Sequence, residues 1–279
     1  MILAESAGLT DTGQKRKQNE DDYYIDDSLG LYVVADGMGG HAAGEVASRI
    51  AIETIRDYAG NVFQKQGTEE LPDVGRNLST AANQLLASIY LANRNVYDIA
   101  RKNPAYAGMG TTVSAVMLTS EDTFISVNVG DSPVFLIRNG QLEMMSMTHT
   151  VASEVFAANQ DAEAALRKEF SHVLTQAIGT KNQVNPAVEE RACRPGDIFV
   201  ICSDGLTDMV TTAEIEELAL NQPPAEACQK MVDLANANGG QDNITVIVLK
   251  INKIVRAGGL LRRMGRFFKK TPGNKQEAE

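Results

Sequence analysis

Four apolar runs in this chain carry an aspartate at one end, and this pattern limits the folds open to it. Three runs end in the aspartate, beside a glycine: LYVVADG (31–37), FISVNVGD (124–131) and IFVICSDG (198–205); in GGQDNITVIVL (239–249) the aspartate comes first. Each run predicts a β-strand with a carboxylate on a rigid element, next to backbone that a ligand can approach closely. The four carboxylates converge on one rim if the last strand runs opposite to the others. Such oxygen ligands suit Mg²⁺ or Mn²⁺.

The amino-terminal segment adds a cation and two acids to this set. In TDTGQKRKQNED (10–21), Arg16 comes four residues before Glu20 and five before Asp21. A guanidinium in that register would hold a phosphate through two parallel N–H donors while the acids face metal ions. The alternative is that Arg16, inside a basic run, is simply a solvated charge.

Six motifs occur in an order that is typical of one known family. They are TDTGQKRKQNED (10–21), VVADGMGGHAAGE (33–45), GMGTTV (108–113), VGDS (129–132), SDGL (203–206) and GGQDNITVIV (239–248). Through them the chain resembles the metal-dependent PP2C (PPM) family of protein serine/threonine phosphatases, bacterial type, from residue 6 to about 250. The resemblance implies an α+β fold, a four-layer αββα sandwich with two central antiparallel sheets flanked by helix pairs. It also implies one phosphatase domain over residues 1–252, with a flap at about 148–186.

The resemblance assigns roles to the acidic residues as well. The implied metal ligands are Glu20, Asp36, Gly37, Asp131, Asp204 and Asp242. Asp36 would bridge two Mn²⁺ or Mg²⁺ ions, Gly37 would lend its carbonyl oxygen, and Glu20 would bind through water. Asp131 is a candidate ligand for a third ion, or else it caps a turn. Asp21 and Asn243 would lie behind the ligands, Asp21 as an acceptor and Asn243 as an anchor for loop backbone.

Two ions about 3.5–4 Å apart would activate a water for direct attack on the phosphorus, while Arg16 and the ions absorb the phosphoryl charge. The chain has no Cys-x5-Arg motif that would offer a cysteine-based route. Many eukaryotic members carry a His directly after the Asp-Gly pair, but that position is Met38 here. His41 is a candidate general acid; the alternatives are a structural His and a water on the metal.

Three further departures from the family pattern flank the flap. Pro133, Thr148 and Gln176 stand where the family usually has Arg, Asp and Arg. We expect these changes to affect substrate recognition more than the chemistry.

Hydrophobic periodicity predicts strands at 22–25, 31–35, 113–118, 123–129, 134–138, 198–202 and 244–250, and helices at about 44–58, 77–102, 212–220 and 224–237. The strands at 113–118, 123–129 and 134–138 are predicted to be hairpin neighbours. Ile125, Val127 and Val129 alternate with Ser126 and Asn128, which predicts a half-buried strand, whereas ITVIVL (244–249) reads as buried on both faces.

Composition favours a cytoplasmic enzyme. With 43% apolar residues over 279, the chain can bury one large core. No apolar run approaches the roughly 20 residues that a membrane span needs. Three cysteines fit a reducing compartment, and Cys202 is predicted to be a core residue. A formal charge of −10 argues against nucleic-acid binding. We expect a monomer.

The last 27 residues, 253–279, form a basic amphipathic tail. From 253 to 270 there are seven Lys or Arg and no acid, interleaved with Leu260, Leu261, Met264, Phe267 and Phe268. Three interpretations remain open: packing on the domain, weak peripheral contact with anionic lipid at the inner membrane face, and docking to an acidic partner.

The favoured function is hydrolysis of phosphoserine and phosphothreonine in proteins, opposing a Hanks-type kinase in bacterial signalling. One alternative is a catalytically silent regulatory or binding module on the same fold. The retained acidic set argues against that reading. The other is a two-metal nuclease or nucleotide hydrolase, for which the sequence lacks a basic groove.

Overall fold

The computed structural model describes residues 2–39, 43–65, 78–145, 148–158 and 173–255. Within these ranges the strands are β1 Ile2–Asp11, β2 Asp21–Asp26, β3 Leu31–Met38, β4 Gly110–Thr111, β5 Val113–Leu118, β6 Thr123–Val129, β7 Val134–Arg138, β8 Gln141–Met144, β9 Ala187–Ala192, β10 Ile198–Cys202 and β11 Ile244–Ile254. The helices are α1 Ala43–Lys65, α2 Thr80–Lys102, α3 Val151–Ala158, α4 Asp204–Thr207, α5 Thr212–Asn221 and α6 Pro224–Ala237, with a 3₁₀ turn at Pro104–Tyr106.

The strands form two antiparallel sheets. The first has the order β1-β11-β10-β7-β8 and the second the order β2-β3-β5-β6-β9, with β4 paired to β3. Helices α1 and α2 pack together and α1 covers β3, whereas α6 covers β1 and β11 and packs on α5. The predicted αββα sandwich is therefore confirmed.

Apolar side chains form three layers that hold the sandwich together. Between the sheets, Phe124 and Phe199 meet edge to face with ring centroids 4.7 Å apart. Outside the second sheet, Ile55 and Leu85 belong to the layer under α1 and α2. Outside the first sheet, Met231 of α6 packs on the strands. Because both faces of each sheet are covered, β11 is buried on both faces as predicted.

Two predictions about individual strands are wrong. β6 is not half-buried, because Ser126 and Asn128 are buried between the sheets, with 1% and 0% exposure. β7 is not a hairpin neighbour of β6: it crosses to the other sheet and pairs with β10 and β8. β5 and β6 do pair with each other, as predicted.

Several elements carry too weak a pattern to be predicted from the sequence. β1 contains four small residues, Ala4, Ser6, Ala7 and Gly8, and half of β9 is charged, so neither shows a clear apolar alternation. Both lie at sheet edges, where one side of the strand has no neighbour in its sheet.

Three predicted features lie wholly or partly outside the described residues: His41, the flap over 159–172 and the tail over 256–279. In the part of the chain that is described, no helix is both long and apolar enough to cross a bilayer. The three cysteines are free thiols and are buried, and Cys202 has 0% exposure.

Candidate functional site

The strand ends predicted to carry carboxylates meet at one end of the sandwich. Asp36 lies near the end of β3, Asp131 follows β6, and Asp204 follows β10 as the first residue of α4. β11 is antiparallel to β10, so its first residues lie beside the end of β10, with Val246 opposite Cys202. This reversal brings Asp242, directly ahead of β11, to the same rim.

A cavity of about 420 Å³ opens at this rim. It is lined by every predicted ligand and by several further residues: Arg16, Glu20, Asp36, Gly37, Met38, Gly39, Thr112, Asp131, Leu174, Asp204, Asp242 and Asn243. Of the predicted site residues that the structure describes, only Asp21 is not in this lining. Asp21 is buried behind the cavity, and His41 is outside the described residues.

The backbone of Asp36 is held by two threonines of the GMGTTV motif. The Asp36 N–H donates to Thr112 Oγ1 at 3.0 Å. The Asp36 carbonyl accepts from the Thr112 N–H and from Thr111 Oγ1, each at 2.8 Å. Thr112 Oγ1 also shares a 2.7 Å hydrogen bond with Ser132 Oγ, next to Asp131. In the sequence this motif indicates only the family resemblance, because no local pattern signals its contact with Asp36.

Two glycines allow α1 to start against the site. A Cβ at Gly37 would collide with the carbonyl oxygens of Gly44 and Glu20, and a Cβ at Gly44 would collide with the carboxylate of Glu20. The Gly37 N–H donates to the Glu20 carbonyl at 3.1 Å. Because neither position carries a side chain, Glu20 can lie close against β3 and the start of α1.

Asn243 ties the amino-terminal loop to the start of β11. Its Nδ2 donates to the carbonyls of Thr12 and Gln18, each at 2.9 Å, and its Oδ1 accepts from the Glu20 N–H at 2.8 Å. All three side-chain contacts are to backbone, so this side chain acts on the loop that carries Arg16 and Glu20.

Arg16 faces the cavity, but it is paired within the protein. Its Nη2 donates to Asp242 Oδ2 at 2.6 Å, and the two side chains are 55% and 34% exposed. This hydrogen bond raises the pKa of Arg16, partly offset by burial, so the guanidinium stays charged. The pair is too exposed to add much stability.

The carboxylates crowd one another strongly. Burial, followed by the charges of Asp21, Asp204 and Asp131, raises the pKa of Asp36 well above its ordinary value, and a hydrogen bond with Asp204 adds to the shift. Burial raises the pKa of Asp21 to about 7, against hydrogen bonds from Thr245 and Ser203 that lower it. Without a cation, burial and mutual repulsion favour the protonated form of these carboxyl groups.

Divalent cations fit this donor set. They would neutralise the excess negative charge, and oxygen ligands alone suffice for Mg²⁺ or Mn²⁺. No three Asp, Glu, His or Cys side chains of the described residues are arranged to hold a metal as they stand. A group of direct ligands is not required, because Mg²⁺ keeps several waters, through which nearby carboxylates can hold it.

The start of the flap is pinned to the loop that carries Asp131. The His149 N–H donates to the Gly130 carbonyl at 2.8 Å, and the Gly130 N–H donates to His149 Nδ1 at 3.2 Å. Two of the residues that depart from the family pattern make contacts within this region. Thr148 Oγ1 shares a hydrogen bond with Ser153, and Gln176 Oε1 accepts from the Asn185 N–H.

The chain is similar to known proteins along most of its length. A sequence profile for "Protein phosphatase 2C" matches residues 12–247. A "Putative protein phosphatase 2C-type" of Streptococcus pyogenes is 36% identical over 246 residues, which cover 86% of this chain and 94% of the relative.

Solved structures show the same likeness. The serine/threonine phosphatase PstP/Ppp of Mycobacterium tuberculosis aligns with a TM-score of 0.77 and 28% identity, covering 91% of this chain and 100% of that one. A structure of the PstP catalytic domain in complex with two manganese ions aligns with a TM-score of 0.76 and 29% identity, at the same coverage.

Proposed function

The chain belongs to the protein phosphatase 2C family of serine/threonine phosphatases, and from this premise we propose how its own residues hydrolyse phosphoserine and phosphothreonine in proteins. The observation that carries the proposal is the single cavity that unites Arg16 with six predicted ligand residues. A silent module would have no reason to keep a crowded carboxylate cluster, which costs stability unless cations neutralise it.

Two Mn²⁺ or Mg²⁺ ions would suit this cavity, and Asp36 would help to hold both. Asp204 and Asp242 would hold one ion, and Glu20 and the Gly37 carbonyl the other. Asp131, with Asp204, would hold a third and weaker ion. The bound ions supply an activated water and neutralise charge on the phosphoryl oxygens.

The protein residues bind and orient the substrate around that chemistry. A phosphate dianion about 4 Å from one carboxylate is repelled by roughly 4 kcal/mol per charge pair at an effective dielectric of ~20, so the acidic cavity alone rejects its substrate. Arg16 offsets this repulsion and orients the phosphate through its fixed N–H donors. Asn243 holds the loop that carries Arg16 through the backbone of Thr12, Gln18 and Glu20, and Thr112 holds the backbone of Asp36.

The wider setting is also a proposal. We propose that the substrates are phosphoproteins made by a Hanks-type kinase of a bacterium, and that the enzyme works in the cytoplasm as a monomer. The phosphatase domain would extend to the end of β11 at Ile254, two residues beyond the boundary at 252 that the sequence predicts. The flap at 148–186 would border the substrate site.

The replacement Asp36→Asn tests the assignment of the ions. It should lower kcat on p-nitrophenyl phosphate and on a phosphothreonine peptide by on the order of 10³-fold, because one carboxylate serves both ions. Asp233→Asn is the matched control, since Asp233 is an exposed side chain of α6 that accepts a hydrogen bond from Gln229 of the same helix. EDTA should abolish turnover in the unmodified enzyme. Equal activity of the two variants would contradict the assignment.

A further inference from the structure

An apolar groove lies at the opposite end of the sandwich from the active site. Its walls are the start of β1 in the first sheet and, in the second sheet, the β2–β3 turn and the end of β5, and its volume is about 710 Å³. β1 runs from the groove at Ile2 to Asp11, which pairs with Ile244 near Asp242. Ten residues of strand place the groove roughly 30 Å from the active site.

The groove presents apolar side chains at the surface of the domain. Leu3, Leu29 and Leu118 are in its lining, and Leu3 is 44% exposed. Among the described residues that line the groove, Asp27 is the charged one. Its Oδ1 accepts from Ser6 Oγ at 2.8 Å and from the Tyr32 hydroxyl at 2.9 Å. The lining residues include no Lys or Arg.

The described chain ends beside this groove. In the β1–β11 ladder, Ile254 lies opposite Ile2 and Lys253 lies opposite Leu3. Val255, the last described residue, is 41% exposed. Two of the exposed large hydrophobic side chains, Leu3 and Val255, therefore sit at one corner of the molecule, next to the point where 24 further residues begin.

Those residues match the groove in chemistry. Residues 253–279 carry eight Lys or Arg and two Glu, whereas residues 1–252 carry 18 Lys or Arg and 34 Asp or Glu. A strongly cationic segment is thus tethered to an acidic domain. Gly258 and Gly259 allow a reversal of direction soon after β11. Leu260, five residues after Val255, can be up to about 18 Å away, which is enough to reach the groove walls.

We propose that residues 256–270 dock back into this groove of their own domain. The apolar side chains of Leu260, Leu261, Phe267 and Phe268 would cover Leu3, Leu29 and Leu118, and the interleaved arginines would lie over Asp27. Docking would leave the active site open, because the groove is at the other end of the strands.

Tryptophan fluorescence tests the docking in the full chain. The chain contains no tryptophan, so Phe267→Trp introduces a unique reporter. We expect blue-shifted emission and protection from acrylamide in the native protein. Combining Leu3→Glu with this reporter should move the emission maximum to the value for a solvent-exposed tryptophan, as in the unfolded chain. Adding Leu220→Glu should not, because Leu220 is equally exposed, at 42%, but lies on α5.

Turnover of p-nitrophenyl phosphate checks that each variant is folded, since Leu3 and Leu220 do not line the active-site cavity. If Leu3→Glu lowers turnover, Asp27→Lys is the second variant, because it reverses the charge of the groove without adding polarity to its apolar wall. Either variant should release the reporter.

Three results would overturn the proposal. The first is solvent-like emission in the native protein that Leu3→Glu leaves unchanged. The second is a blue shift that grows with protein concentration, which would assign the groove to the tail of a second copy. The third is a shift that appears only with phosphatidylglycerol vesicles, which would assign the tail to a membrane surface.

Discussion

Arg16 donates to Asp242 in the structure, and Asp242 is also a proposed metal ligand. A metal ion on that carboxylate would weaken the pair and leave more of the guanidinium for a phosphate. Metal loading and phosphate binding would therefore be coupled through the Asp242 side chain.

Arg16→Ala should raise KM for phosphate esters and weaken inhibition by inorganic phosphate more than it lowers kcat, because the guanidinium binds the dianion before the transition state as well as in it. Steady-state kinetics with Mn²⁺ at saturation measures both constants. Lys17→Ala removes a neighbouring exposed cation and should leave KM within the error of the unmodified enzyme. If the two variants behave alike, Arg16 is a solvated charge.

Thr112 gives a second prediction at this scale. Thr112→Val removes the acceptor of the Asp36 N–H and the partner of Ser132 Oγ in a buried setting. Each buried polar group left unpaired costs about 1–3 kcal/mol, so urea unfolding should show a loss of that order or more. Calorimetric titration should also show weaker Mn²⁺ binding. Thr112→Ser keeps the hydroxyl, lacks the methyl group and should largely restore both; a loss in Thr112→Ser with none in Thr112→Val would mean that the methyl packing matters and the hydroxyl does not.

At the scale of elements, helix α1 determines how the amino-terminal loop meets β3. The helix contains two glycines in very different surroundings: Gly44 packs against Gly37 and Glu20, whereas a Cβ at Gly60 would meet nothing within 4 Å. In the same helix, a replacement at Gly44 therefore tests the contact with the site, and a replacement at Gly60 serves as its control.

Gly60→Ala should stabilise the protein by about 0.5–1 kcal/mol, as expected for a glycine inside a helix. Gly44→Ala should have the opposite sign, because its methyl group displaces the Glu20 carboxylate and presses on the Gly37 backbone. We expect a lower melting temperature and a higher Mn²⁺ concentration for half-maximal activity. Stabilisation by both replacements would show that α1 can shift without disturbing the site.

At the scale of the whole molecule, the acidic site makes stability depend on pH and on cations. The pKa of Asp21 is raised from 3.8 to about 7, and the pKa of Asp36 is raised as well, so the folded protein binds more protons than the unfolded chain between these values. That contribution to stability is present below about pH 4 and is lost as the pH rises toward 7.

The melting temperature in EDTA should therefore be lowered by these two groups as the pH rises from 5 to 8, and Mn²⁺ should restore it at neutral pH. Scanning calorimetry over this range, with and without the ion, measures the effect. Asp21→Asn removes one titrating group and should flatten the slope in EDTA. A slope in EDTA that is the same for both proteins would mean that Asp21 does not carry the effect.

The sequence by itself determined the strands with dense apolar runs and the identity of the site. β5, β6, β7 and β10 were predicted at the bounds observed, because an apolar run and the turn residues beside it are local signals. The gathering of the four aspartates at one cavity was predictable for a similar reason, since each sits at a strand end marked by its own motif; their role as metal ligands stays a prediction.

The tertiary structure alone decided which strands pair and what lies behind the site. β7 follows β6 closely in sequence yet joins the other sheet, and Ser126 and Asn128 are buried because a second sheet covers their face. The clamp of Thr112 on Asp36 and the contact of Gly44 with Glu20 join residues 76 and 24 positions apart. Such contacts depend on how separate elements pack, and no local periodicity encodes that.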